Sequence, residues 1–248
     1  MIQDLHSHTY YSFCSNDTPE QVINVAILHG IQQLGICDHN YGVGCGRTDF
    51  CYDKGANRDA DYGKTLIRYN DHIKLLKEKY KNKIKIFSGL EVCTLISNDS
   101  YALPKNTDIS MFDYCLVENL GNNNSFIKTA DDFFEFCSKA KTKVGIAHTD
   151  LFAYINSLGE DAFRFLQKMA KYNVFWEINV NFDSMHKFKQ HSYVNDFFKD
   201  KTKQELIKKT GVKLSVGFDS HNIKEYKADR VKTACSLIKN MGIHLVFE

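Results

Sequence analysis

The stretch that decides the fold is Asp4-Leu5-His6-Ser7-His8, at the head of a chain of 248 residues. Ile2 to His6 reads as a short strand. Residues two apart on a strand project to the same side, so His6 and His8 present two imidazoles in one direction, with Asp4 behind them on that face. An isolated His-x-His is an ordinary surface feature. Its meaning depends on whether other strands deliver ligands to the same place.

The rest of the chain alternates. Thr18, Pro19 and Gln21 form a capping box with proline at the first helical position, and Gly30 ends that helix. Strands are expected at 34–37, 84–90, 114–117, 144–147, 174–178 and 212–217. Helices are marked by Leu66, Tyr69, Ile73, Leu76 and Tyr80, by Phe133, Cys137 and Ala140, by 162–169, by 203–209, and by Val231, Ala234, Cys235 and Ile238. Residues 243–247 suggest a further, terminal strand. Residues 40–60 carry no clear period and read as a flexible flap with Arg47 at its tip. Strands alternating with helices imply a mostly parallel sheet, either open and doubly wound or closed into a (β/α)7 relative of the TIM barrel.

The ends of the strands help to choose between the two. Strand one runs into His6 and His8, strand two into Asp38-His39, strand three into Glu91, strand five into His148, and strand seven into Asp219 and His221. In a barrel the C-terminal strand ends converge on one face. An open sheet spreads them along an edge. The pattern favours closure, in a single domain spanning residues 1–248.

Composition excludes some functions. Apolar residues make up 43% of the chain, which suffices for a core, and the formal charge is +2, too small to demand a nucleic-acid or membrane partner. None of the cysteines forms a C-x-x-C pair, so a structural zinc ribbon is not expected. There is no signal-peptide pattern and no run long enough to span a bilayer, so the expected location is cytoplasmic.

Imidazole and carboxylate ligands suit zinc, manganese or iron, and His6, His8, His39, Glu91, His148, Asp219 and His221 are too many for one tetrahedral ion. Two or three divalent ions are expected, with Glu91 able to bridge. Such a centre activates water and clamps phosphoryl oxygens.

These motifs in order, His6-x-His8, Cys37-Asp38-His39, Gly89-Leu90-Glu91, Ala147-His148 and Gly217-Phe218-Asp219-Ser220-His221, resemble those of the polymerase and histidinol phosphatase (PHP) family. The resemblance implies a distorted (β/α)7 barrel and phosphoesterase chemistry at two or three metals. It assigns His6, His8, Glu91 and Asp219 to one ion, Glu91 and His148 to a second, and His39 and His221 to a third. Trp176-Glu177-Ile178-Asn179 also resembles a family feature, supporting the ligands from behind. Two places depart from the pattern. Cys14 stands where many members have a further histidine, and Val117-Glu118-Asn119-Leu120 lacks another. Cys14 is either a thiolate ligand or a bystander, and Glu118 or Asn119 can fill the second gap only weakly.

The activity this implies is hydrolysis of a small-molecule phosphomonoester, histidinol-phosphatase-like, by metal-activated hydroxide. Asp219 and His221 are the candidates for proton transfer. Arg47 is the candidate phosphate clamp, with Lys187 and Lys189 able to serve similarly. Amidohydrolase-like C–N hydrolysis competes, but lacks the lysine expected near 114–120. A nuclease of the same family is disfavoured by the near-neutral charge, and a non-catalytic module by the complete first ligand set. Oligomeric state is not legible.

Overall fold

A computed structural model describes residues 1–12, 14–45, 58–96, 102–104, 106–181 and 192–248. Arg47, Lys187 and Lys189 lie outside the described residues.

The strands are β1 (Gln3–Asp4), β2 (Gln33–His39), β3 (Lys85–Cys93), β4 (Tyr114–Glu118), β5 (Lys143–Ile146), β6 (Phe175–Asn179) and β7 (Leu214–Gly217). They form one seven-stranded parallel sheet in the order β1 to β7. Its two ends meet. The Leu5 N–H donates to the Val216 carbonyl at 2.8 Å, and Ser7 bridges Ser220. A monotonic strand order whose first and last members touch is a nearly closed barrel rather than a doubly wound sheet.

Helices pack outside: α1 (Pro19–Leu28), α2 (Asn40–Cys45), α3 (Arg58–Tyr80), α4 (Ala130–Ala140), α5 (Leu151–Ser157), α6 (Ala162–Lys171), α7 (Ser192–Lys199), α8 (Lys201–Thr210) and α9 (Ala228–Asn240). The Thr18 capping box forms as the sequence predicts, and Gly30 ends α1 at φ +72°, a conformation open to glycine. Thr129 caps α4 in the same reciprocal way with Asp132.

Three expectations need correction. The flap at 40–60 is partly helical: Asn40–Cys45 is α2, and α3 begins at Arg58. The cause is tertiary. Asn40 Oδ1 accepts the Cys93 N–H at 2.7 Å while its amide donates to Tyr62 Oη at 2.7 Å. A Cβ at Gly44 would come within 2.2 Å of the Tyr62 ring, so the glycine allows α2 to lie against α3. The terminal segment makes a single bridge, Leu245 to Leu214, rather than a strand. Helices α5 and α7 do not follow from the sequence reading; α5 is too short to show a period and is started by Asp150, which accepts from the Ala153 N–H at 3.0 Å, and α7 occupies 192–199, within a stretch that reads as loop.

Strand alternation separates two cores. Cys115 and Val117 point out into the layer between sheet and helices, while Tyr114 and Leu116 point into the barrel. There they meet Leu5, Cys37, Phe87, Ala147, Phe175 and Val246. Phe247 closes the bottom, its ring stacked 4.1 Å from that of Phe87. Tyr114 crosses the barrel to donate its hydroxyl to the Leu5 carbonyl. It fits because position 35 is glycine: a Cβ there would sit 2.0 Å from its oxygen.

Candidate metal centre

At the other end the same inward register carries ionisable groups. Asp4 sets the entry. Its Oδ1 accepts from the backbone N–H of His6 at 3.2 Å and of Phe218 at 3.0 Å, and its Oδ2 from Tyr226 Oη at 2.8 Å. Asp4 thus ties β1 to β7 and fixes the backbone that launches His6 and His8. Burial pushes its carboxyl up to about 6, against the lowering effect of those hydrogen bonds.

Glu91 lies at the centre, fully buried. Its Oε1 is 3.0 Å from His148 Nε2 and 3.4 Å from His6 Nε2. Its Oε2 is 2.7 Å from His39 Nδ1 and 3.4 Å from His8 Nε2. One carboxylate therefore faces two pairs of histidines, the arrangement a bridging ligand needs. Asp219 Oδ1 completes the group at 3.1 Å from His8 Nε2 and 3.6 Å from His6 Nε2. Asp219 holds φ +56°, which aspartate tolerates better than most residues; its N–H donates to the His6 carbonyl at 2.7 Å, locking this turn to β1.

The outer nitrogens of three rings are already occupied. His6 Nδ1 lies 2.7 Å from Glu177 Oε1. His221 Nδ1 lies 3.0 Å from the Asp219 carbonyl. His8 Nδ1 lies 3.1 Å from Ser12 Oγ, which donates to Asp38 Oδ1 at 2.7 Å and accepts the His39 N–H at 3.0 Å. Each acceptor requires a proton on Nδ1, so each ring turns the Nε2 lone pair inward. Gly217 makes room for the Glu177 contact, since a Cβ there would lie 2.0 Å from Oε1 and 2.6 Å from His6 Cβ.

The result is a cluster that protein atoms alone do not satisfy. His6 Nε2 and His8 Nε2 stand 3.1 Å apart, a contact that needs either a proton on one of them or a cation between them. Neither His39 Nδ1 nor Glu91 Oε2 has a hydrogen-bond partner among the described residues: they are close, but off the line of the N–H. Buried orphans of this kind are costly, and a cation resolves them. The donor set therefore fits divalent metal ions.

Charge within the cluster is strongly coupled. Burial alone would raise the Glu91 carboxyl, but the charges of His39 and His6 and the bond to His148 hold it well below the carboxylate range. Asp219 is depressed in the same way, burial being outweighed by His6, His221 and His8. His8 is pushed well below its ordinary value by burial and by the positive charge of His221 and His39. His148 goes the other way, to about 9, because Glu91 outweighs burial.

Ligand atoms come together within 4.8 Å in three groups among the described residues: His6, His8 and Glu91; His39, Glu91 and Glu118; and His8, Cys14, His39 and His221. Together with His148 on Glu91 and Asp219 on His6 and His8, these groups bring all seven candidate ligands to this mouth, with Asp4 and Asp38 behind them. Glu91 and His39 sit within their strands rather than after them. Glu118, at 3.5 Å from His39 Nδ1, joins the cluster, whereas the Asn119 amide turns to Cys93 Sγ at 3.6 Å. Sequence reading missed Ser12 and its carboxylate support from Asp38, because no spacing rule marks a hydroxyl that bridges two ligands. A cavity of about 420 Å³ opens beside His148, lined by Asn119, Asn122, Thr149, Asp150 and Ser157 among others.

The fold and site define a parallel barrel with a buried histidine–carboxylate cluster at the C-terminal ends of its strands, built for divalent cations. The chain belongs to the PHP domain family, whose model matches residues 4–228. It is similar to the histidinol-phosphatase of Lactococcus lactis subsp. lactis strain IL1403, at 25% identity over 266 aligned positions, covering 97% of this chain and 91% of that one. The fold is similar to the crystal structure of histidinol phosphate phosphatase from Lactococcus lactis subsp. lactis Il1403, complexed with zinc, L-histidinol and phosphate. That likeness has a TM-score of 0.57 at 19% identity and covers 98% of this chain and 94% of that chain. A crystal structure of an uncharacterised protein matches at TM-score 0.50 and 10% identity, over 97% of this chain and 70% of that one. No helix among the described residues is long and apolar enough to cross a membrane.

Proposed function

We propose that this protein is a divalent-metal-dependent phosphomonoesterase acting on a small phosphorylated substrate. The observation that carries the reading is Glu91, whose two oxygens face separate histidine pairs at the barrel mouth. His6, His8, Glu91 and Asp219 would hold one ion, Glu91 and His148 a second, and His39 and His221 would help hold a third. Zinc, manganese and iron all suit these donors. Bound there, the ions would supply the charge that polarises a phosphoryl group and acidifies water.

The chain's own residues do the rest. Glu177 and the Ser12–Asp38 pair hold the rings of His6 and His8 in the tautomer that faces the substrate. Asp219 Oδ2, held by Asn179 Nδ2 at 3.4 Å, is the group placed to shuttle a proton to the leaving alkoxide. His221 steadies it through the Asp219 carbonyl. The cavity beside His148 has the size of a small-molecule site and takes the leaving group. Histidinol phosphate is the first substrate to try, because the Lactococcus relative is a histidinol-phosphatase.

The test is elemental analysis of purified protein with p-nitrophenyl phosphate turnover before chelation, after it, and after metal restoration. Two or three equivalents of metal, with activity lost and regained, are expected. Protein that neither carries nor takes up metal ends the ligand assignment, and metal without turnover ends the phosphatase reading.

A further inference from the structure

One donor in the mouth differs in kind from the others. Cys14 Sγ lies within 4.8 Å of ligand atoms of His8, His39 and His221. The position is half-buried, and the neighbouring thiol, Cys93, is buried with the Asn119 amide against its sulfur. His8 cannot serve this group and the neighbouring one together. Its Nδ1 is taken by Ser12, and its single Nε2 lone pair lies among His6, Asp219 and Glu91 at 3.1, 3.1 and 3.4 Å. What remains is Cys14, His39 and His221. The His221 ring is fixed by the Asp219 carbonyl, which leaves Nε2 as its acceptor atom. A second observation stands apart from the cysteine. Glu91 Oε2 is wholly buried and without a hydrogen-bond partner among the described residues, 2.7 Å from His39 Nδ1 on this side of the cluster.

We propose that Cys14, His39 and His221 form a one-thiolate metal site beside the nitrogen–oxygen site of His6, His8, Glu91 and Asp219. The two adjoining sites are then chemically unequal. Three protein donors leave a coordination position open, as in sites that bind water or substrate. The soft thiolate selects zinc or cobalt(II) over manganese or magnesium, whereas the neighbouring site accepts the harder ions. The inference rests on the reading that the mouth holds divalent ions; it does not need the phosphatase activity.

The experiment uses the full chain loaded with cobalt(II), compared with Cys14→Ser, Cys14→His and Cys93→Ser. The wild type and Cys93→Ser are expected to show an intense near-ultraviolet thiolate-to-cobalt charge-transfer band, and both Cys14 variants to lack it. Zinc content is expected to fall by about one equivalent in Cys14→Ser and to return in Cys14→His, which keeps a donor at the position. Iodoacetamide alkylation of Cys14, read by peptide mass spectrometry, is expected to be at least tenfold slower in zinc-loaded than in metal-free protein. A band that survives Cys14→Ser, or a metal-loaded wild type with no band and unprotected Cys14, overturns the proposal even with phosphatase activity intact. A band without hydrolysis of any phosphoester leaves this site standing and removes the proposed function.

Discussion

The two ends of the barrel are made by the same strands in the same inward register, yet they are held together by opposite means. Along β3 the inward positions run Phe87, Gly89, Glu91; along β2, Gly35, Cys37, His39; along β4, Tyr114, Leu116, Glu118; along β6, Phe175, Glu177, Asn179. At the floor, aromatic rings interlock over glycines, and burial itself is stabilising. At the mouth, imidazoles and carboxylates are buried against one another, and His39 Nδ1 and Glu91 Oε2 have no hydrogen-bond partner among the described residues. The difference teaches that fold stability and chemistry are separated along each strand by about two residues. The floor rests on apolar packing with one hydroxyl-to-carbonyl bond, from Tyr114 to Leu5, while the mouth leaves buried polar atoms that a cation would satisfy.

That contrast can be broken in four ways. The largest effect is expected from Glu91→Gln, which removes the charge shared by both histidine pairs. Metal content should fall, and kcat/KM on p-nitrophenyl phosphate should drop roughly a thousandfold, about 4 kcal/mol of transition-state stabilisation. The far-ultraviolet circular dichroism should be unchanged. A variant that retains full metal and turnover would show that Glu91 is only a structural carboxylate.

Chelation comes next. If cations complete the mouth, metal at about a thousand times its dissociation constant stabilises the protein by roughly 4 kcal/mol, read as a rise in thermal midpoint. The metal-free protein should also carry a pH signature. His148 and His221 are each raised to about 9 in the folded chain, above the ordinary 6.5. A raised histidine contributes stability in full below 6.5 and loses it as pH climbs through 9. Thermal midpoints of metal-free protein should therefore fall across that window. Metal affinity should rise over it, since ligands must shed protons to bind. Flat midpoints would place the histidines outside a coupled cluster.

At the floor, Gly35→Ala puts a methyl 2.0 Å from Tyr114 Oη and 2.9 Å from the Leu5 backbone. Overpacking of that kind costs about 2–3 kcal/mol in urea unfolding, with metal content per folded molecule retained. The smallest effect is expected from Tyr114→Phe. It deletes the hydroxyl that donates to Leu5 and should cost about 1 kcal/mol without changing turnover. Loss of metal in either floor variant would mean that the two ends are coupled after all.

Much of the site was legible before any coordinates, for a physical reason. A barrel places successive strand ends on one ring, so a histidine or carboxylate recurring at strand ends must converge once closure is granted. His6, His8, His39, Glu91, His148, Asp219 and His221 all lie in the mouth, and Asp38 reaches it through Ser12. Residues that act through others were not legible. Ser12 accepts from both His8 and His39, and Asp4 ties β1 to β7, but neither follows from spacing. Helix α2 escaped because its stability comes from Tyr62 and Cys93 rather than from a local period.

By itself the sequence determined the alternation of strands and helices, the capping of α1, and which residue types stand at each strand end, because these depend on local period and neighbouring residues. Only the tertiary structure decided how the sheet closes, through Leu5 on Val216. It alone decided that Glu91 divides its oxygens between two histidine pairs, and that Cys14 and Glu118 join the ring while Asn119 turns away. Those outcomes turn on distances between residues far apart in the chain, and no local rule encodes them.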